Sequence, residues 1–211
     1  MKGKNKIQNK RQDFFFDKAK EEGYPARSVY KLKEIDKKYR IIKKNNVVLD
    51  LGCAPGSWMM YLSQKVGPRG KVVGIDIQDI NILIEKNMKF TKGDIREVLS
   101  IWKSEIFRGE EKQSMFDVIV SDMAPKTTGI KFADAEESLE LAEEAFNVAK
   151  AFLKNKGNLV IKIFESGDTA QFIKRLKSCF KIVKRFSPEA TRKQSREFYV
   201  VCMGYIKNIN N

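Results

Sequence analysis

Four short runs, Val47–Leu51, Lys71–Ile75, Phe116–Val120 and Asn158–Phe164, are almost continuously apolar, and segments of helical spacing separate them. A strand that stays apolar on both faces is buried on both, and strands that alternate with helices in this way form a parallel sheet covered by helices. Right-handed crossovers then wind the chain over both faces of the sheet. The spacing predicts helices over 13–22 and 28–40, the second capped by Ser28 with Val29, Leu32, Ile35 and Tyr39 near one face. A third helix carries Trp58, Met59, Tyr61, Leu62 and Val66 until Gly67-Pro-Arg-Gly70 breaks it. Further helices are expected over 79–87, 95–107, 135–153 and 169–178, with a weak strand near 88–91 and a polar turn at 108–114. Asn155-Lys-Gly157 should end the helix before the strand that starts at Asn158. The last strands, 180–186 and about 197–205, are separated by ten residues, too few for a helical crossover, so they should pair antiparallel.

With 211 residues, no repeat and no Pro/Gly/Ser-rich linker, one domain is expected over 13–211, with a helical extension at 13–44 and a flexible basic N-terminus at 1–12. No apolar run approaches the roughly 20 residues of a membrane span, and no membrane partner is expected. The N-terminus lacks the apolar stretch of a secretory signal, and its Asn/Gln-rich composition gives no support to a transit peptide. Cys53, Cys179 and Cys202 are odd in number and lack C-x-x-C spacing, which suits thiols in a reducing, intracellular compartment and no metal site. Whether that compartment is cytoplasm, nucleolus or mitochondrion stays open. The chain has no histidine, so histidine triads, histidine bases and the usual catalytic zinc sites are excluded. Acid–base work falls to Lys, Asp, Glu, Tyr or Cys.

The net charge of +14 is unevenly placed: +9 over residues 1–49, −3 over 50–170 and +8 over 171–211. Ends that met beside one face of the middle would form a cationic surface for a polyanion.

The first strand runs into Asp50-Leu-Gly52-Cys-Ala-Pro-Gly56-Ser-Trp58, at the sheet position where open α/β folds bind ligands. The loop is neither G-x-G-x-x-G nor G-x-x-x-x-G-K-[ST], so both phosphate cradles lack their pattern. Its glycines permit close backbone approach to a ligand. Asp76 ends the second strand, 20 residues after Gly56, where a carboxylate accepts from ribose hydroxyls, and Asp94 can accept from an adenine amine. Three carboxylates, Asp50, Asp76 and Asp94, repel phosphates and suit a nucleoside bearing positive charge, which describes S-adenosylmethionine. A parallel sheet that closes on an antiparallel hairpin is also methyltransferase-like rather than a plain dinucleotide fold. Four further residues interrupt their surroundings: Asp122 after a buried strand, Lys162 inside one, Lys31 on the second helix and Glu197 at the start of the last strand. A lysine buried on both faces is costly unless paired or functional.

Asp50-x-Gly-x-Ala-Pro-Gly56-x-Trp58, Ser121-Asp-Met-Ala-Pro125, Val160-Ile-Lys-Ile-Phe164 and Ser195-Arg-Glu-Phe-Tyr199 together resemble the motifs of the FtsJ/RrmJ family of S-adenosylmethionine-dependent RNA ribose 2′-O-methyltransferases. The similarity runs in order from about residue 13 to 205, with Cys53 where an alanine is usual, Ser57 where a second glycine is common and an insertion at 108–114. It implies a Rossmann-like class I methyltransferase, a doubly wound, mostly parallel sheet ending in an antiparallel strand. It implies a catalytic tetrad of Lys31, Asp122, Lys162 and Glu197. Cofactor contacts are expected from Asp50, Gly52, Ala54, Pro55, Gly56, Trp58, Asp76, Asp94 and Asp122, although Trp58 also reads as core.

The ribose hydroxyl is a very weak acid and needs a base or a stabilised alkoxide. Lys162 is expected to act neutral as that base, with Asp122 orienting it, and its rival role is a charged stabiliser of the oxyanion. RNA contacts are expected from Lys18, Lys20, Arg27, Lys33, Lys37, Arg192, Lys193 and Arg196. The resemblance favours a uridine of large-subunit ribosomal RNA, whereas Ala19-Lys-Glu-Glu-Gly-Tyr24 with Ala26-Arg-Ser28 is similar to a tRNA anticodon-loop branch. A non-catalytic RNA-binding ribosome assembly factor is the reading from another class, and a monomer is expected.

Overall fold

The computed structural model describes residues 14–98, 100, 115–191 and 195–206. Its sheet has the strand order β3-β2-β1-β4-β5-β7-β6, with β1 (Val47–Leu51), β2 (Lys71–Asp76), β3 (Met88–Lys92), β4 (Phe116–Ser121), β5 (Leu153–Phe164), β6 (Phe180–Phe186) and β7 (Glu197–Tyr205). Strands β3 to β5 pair in parallel, and β7 runs antiparallel to both β5 and β6. The order reverses between β1 and β4, which makes the carboxyl ends of these two strands the switch point.

Helices α1 (residues 14–21), α2 (Val29–Tyr39), α3 (Ser57–Val66), α4 (helical at 95–98 and 100), α5 (Lys131–Phe152) and α6 (Thr169–Cys179) cover the sheet. Leu49, Leu51, Ile119, Leu159 and Ile161 point to the α5/α6 side, and Val48, Val118, Val120, Val160 and Val201 to the α2/α3 side. This alternation gives each strand two buried faces, as its apolar run requires. Helix α2 and the loop after β6 meet on the α2/α3 side of the sheet. Glu34 accepts the backbone N–H of Glu189 at 2.7 Å and of Ala190 at 3.1 Å, and the Tyr39 and Phe186 rings pack edge to face at 5.7 Å.

Several expected elements differ. No helix forms over 79–87. Its apolar residues share no buried face, with Leu83 88% exposed, and Ile80, Ile82 and Ile84 are poor helix formers. The segment is held instead by the Asn81 N–H on the Pro55 carbonyl at 2.9 Å. Ser28 occupies the N-cap of α2, but its side chain makes no capping bond. Helix α5 starts at Lys131, four residues earlier than its spacing suggests, where Asp134 accepts the N–H groups of Thr128 and Gly129. Asn155-Lys-Gly157 does not separate helix from strand. Strand β5 already begins at Leu153 and the tripeptide is a bulge within it, with Lys156 at φ 65° and a register shift against β4. The helix expected over 95–107 is described only at its start, and the 1–12 and 108–114 segments lie outside the described residues.

Candidate active site

The carboxyl ends of β1, β2 and β4, the turn after β3 and one flank of α5 enclose a cleft of about 320 Å³. Gly52, Ala54, Asp76, Asp94, Asp122, Met123 and Leu141 contribute to its lining. Its size falls in the range of small-ligand pockets. Asp76 is held by the Ala54 N–H on Oδ2 and the Gln78 N–H on Oδ1, both at 2.8 Å, so two backbone turns aim its carboxylate. Asp94 accepts the Arg96 N–H at 2.8 Å in the same manner. Arg96, the one cation among the described lining residues, is itself paired with Glu144.

Asp50, Pro55, Gly56 and Trp58 stand outside this lining. Trp58 is core, 3% exposed, with its indole N–H on the Ser28 carbonyl at 2.8 Å. The glycines serve packing of the chain on itself. A Cβ on Gly52 (φ +73°) would come within 2.7 Å of the Met123 side chain, and one on Gly56 (φ +108°) within 2.8 Å of Ile82. Asp50 is fully buried, and neither of its carboxylate oxygens has a hydrogen-bond partner among the described residues. Burial, followed by the Asp122 and Asp76 carboxylates, pushes its pKa well above the usual range. A cleft backed by an unsatisfied acid and edged by further carboxylates fits a cationic nucleoside and rejects a polyphosphate.

Beside the cleft, on the α2 side, lies the polar group predicted from sequence. Lys162 is 6% exposed, and its Nζ donates to the Asp122 carbonyl and lies 3.1 Å from Asp122 Oδ1. Lys31 reaches down from α2 to pair with Glu197 Oε1 at 2.5 Å. The antiparallel setting of β7 brings its first residue, rather than its last, to the active end of the sheet, with Glu197 opposite Phe164 and Tyr199 opposite Lys162. All four residues therefore converge.

Sequence reasoning missed Tyr199, which links the two pairs. Its hydroxyl donates to Asp122 Oδ1 at 2.6 Å, and the Lys31 ammonium sits 5.9 Å from its ring centroid. The signal was available: Tyr199 follows Glu197 by two residues and so shares its face of the strand. Burial, then the Asp122 and Glu197 charges, drives the Tyr199 hydroxyl well above its ordinary pKa, so it remains a donor. Burial acts to raise the Asp122 carboxyl as well. The Lys162 and Lys31 charges and the Tyr199 and Lys162 hydrogen bonds outweigh it, and Asp122 stays below the usual carboxylate range, ionised at neutral pH.

Of the expected RNA contacts, Lys20, Lys37 and Arg196 are exposed and Arg27 is half-buried. Lys18 and Lys33 both pair with Glu22, Lys33 at 2.5 Å. Arg192 and Lys193 lie outside the described residues.

A seven-stranded sheet with an inserted antiparallel strand, a carboxylate-rich cleft at the switch point and a neighbouring Lys–Asp–Lys–Glu group define an S-adenosylmethionine-dependent methyltransferase of the Rossmann-like class. Residues 24–205 match the FtsJ-like methyltransferase family, and the chain belongs to it. A protein of Desulfatibacillum aliphaticivorans named ribosomal RNA large subunit methyltransferase E is 47% identical over 201 residues, covering 95% of this chain and 94% of that one. A protein of the same name from Nitratidesulfovibrio vulgaris is 44% identical over 197 residues, covering 93% and 94%. The crystal structure of a putative ribosomal RNA methyltransferase from Plasmodium falciparum superposes with a TM-score of 0.72 at 29% identity, over 88% of this chain and all of that one.

Proposed function

We propose that this protein methylates the 2′-hydroxyl of a ribose, that of a uridine in large-subunit ribosomal RNA. The convergence of Lys31, Asp122, Lys162 and Glu197 beside the carboxylate-lined cleft carries this reading. The names of the relatives, which cover nearly the whole chain, support ribosomal RNA over tRNA. An intact tetrad counts against a factor without activity.

S-adenosylmethionine supplies an activated methyl group on a sulfonium. Asp76 would hold its ribose, Asp94 its adenine, and Asp122 with the Gly52–Ala54 backbone its methionine end. Asp122 provides two acceptors for the Lys162 amine, its carbonyl and Oδ1. A neutral amine has two N–H groups, and with both engaged its lone pair is left for a hydroxyl. Lys162 then takes the 2′-hydroxyl proton on Nζ, while Asp122 fixes where that nitrogen points. Lys31, steadied by Glu197, places a positive charge at the rim of the same pocket and stabilises the developing alkoxide. Lys20, Lys37 and Arg196 are exposed and can meet phosphates, whereas Lys18 and Lys33 must share theirs with Glu22.

Labelled donor supplied with large ribosomal subunits, bare ribosomal RNA and tRNA, followed by mapping of the modified ribose, tests the substrate. Label on a uridine ribose of large-subunit RNA is expected, and label on tRNA alone overturns it. For the base, kcat should rise with pH through one ionisation, and Lys162→Arg should lose at least about 100-fold. An arginine variant that stays active with a flat profile would assign Lys162 to charge stabilisation.

A further inference from the structure

Residues 37–44 contain five cations, Lys37, Lys38, Arg40, Lys43 and Lys44, and residues 180–186 contain Lys181, Lys184 and Arg185, with no acidic residue in either segment. The fold joins these segments, which lie about 140 positions apart in sequence. The Lys38 ammonium lies 4.7 Å from the centroid of Phe186, which ends β6, and Phe186 packs on Tyr39. Lys184 pairs with Val201, two residues along β7 from Tyr199, and shares its face of β6 with half-exposed Ile182. Lys37, Lys38, Arg40 and Lys184 are exposed, and among the described residues none forms an ion pair, in contrast to Lys18, Lys31 and Lys33.

The backbone is set for this display. Asp36 is buried and accepts the Ile42 N–H at 3.0 Å and the Tyr61 hydroxyl at 2.7 Å, with Lys65 at 2.8 Å. It therefore fixes the turn that ends α2 while withdrawing its own negative charge from the surface. Arg40 sits at the C-cap with φ 52° and ψ 45°. Glycine adopts that conformation without steric cost and is the usual occupant. A charged side chain stands where the backbone suits glycine best.

We propose that the C-terminal turn of α2 and the β6 edge form a second RNA-docking surface, built by Lys38, Arg40 and Lys184, which grips phosphates flanking the target nucleotide. The inference rests on the RNA-methylating function proposed above. Lys38 lies two helical turns from Lys31, about 10 Å along α2. A strand whose ribose enters the tetrad is thereby led along the helix to the edge of the sheet. The contacts are to phosphate, so they add affinity and register without base choice.

The test is the salt dependence of binding between the full-length protein and a fragment of large-subunit ribosomal RNA. Lys38→Gln/Arg40→Gln/Lys184→Gln is compared with wild type and with Lys71→Gln/Lys86→Gln/Lys89→Gln, three exposed lysines around the opposite, β3 edge. The first triple should weaken binding at least tenfold and lower the slope of log K against log salt by about 2 to 3. The control triple should change the slope by less than about 1. Calorimetric binding of S-adenosylmethionine should be the same in all three proteins, which establishes that each is folded. Arg40→Gly, which suits its backbone, should by itself lower the slope by about 1 with no loss of thermal stability. Equal slopes for wild type and the first triple overturn the second surface alone. Equal losses in both triples reduce it to bulk charge and overturn it too. Wild-type protein that binds no RNA overturns the function itself.

Discussion

At the scale of single residues, two buried aspartates respond to pH in opposite senses. Asp50 is driven upward by burial and by its acidic neighbours, so the folded chain binds its proton more tightly than the unfolded one. The stability it lends is complete below the unfolded carboxylate value of about 4 and fades as pH rises through the folded value. Asp122 is held low by Lys162 and Lys31 against burial, so its contribution is complete above about 4 and is lost as pH falls further. Asp50→Asn should therefore raise Tm near neutral pH, with a gain that vanishes in acid. Thermal melts across pH check both parts, and a lower Tm at neutral pH would contradict the assignment. Tyr199→Phe removes one hydrogen bond to a carboxylate, worth about 1.5–3 kcal/mol. It should lower kcat roughly tenfold or more, read by steady-state methyl transfer, with a smaller effect on donor affinity, because Tyr199 itself stands outside the cleft lining.

At the scale of elements, the glycine loop shows how geometry exceeds motif. Gly52 is required by its positive φ and by the approach of Met123 from the loop after β4. Gly52→Ala should cost about 1–2 kcal/mol in backbone strain alone, which for a chain of this size is several degrees of Tm. Differential scanning calorimetry reads that directly. The strands were legible because a parallel sheet covered on both sides leaves continuous apolar runs, as in Val47–Leu51 and Phe116–Val120. Asp122 and Lys162 were legible because charge in or beside such runs has few bland explanations, whereas Lys31 and Glu197, ordinary charges on a helix and at a strand start, stood out only through the motif resemblance. Residues 79–87 misled because periodicity cannot distinguish a helix from an irregular segment that braces Pro55 and Gly56. The role of Tyr199 stayed hidden, since an aromatic in a buried strand is ordinary, and only the antiparallel register across from Lys162 gives its hydroxyl a carboxylate to meet.

At the scale of the whole molecule, the described basic segments 37–44 and 180–186, far apart in sequence, are brought together. Glu34 grips the loop after β6 through two backbone N–H groups, and Lys31 grips β7 through Glu197. Glu34→Ala should accelerate hydrogen exchange at Glu189 and Ala190 by about tenfold or more, the equivalent of one lost hydrogen bond to a charged group. Unchanged exchange would mean that the loop is held by other contacts.

The insertion of β7 between β5 and β6 also bears on how the site is assembled. Glu197 and Tyr199 come from the last of the described strands in chain order, yet they meet Lys31 on α2, far earlier in sequence. Without β7 the cleft and Lys31, Asp122 and Lys162 would remain, but with no Glu197 to pair with Lys31 and no Tyr199 hydroxyl on Asp122.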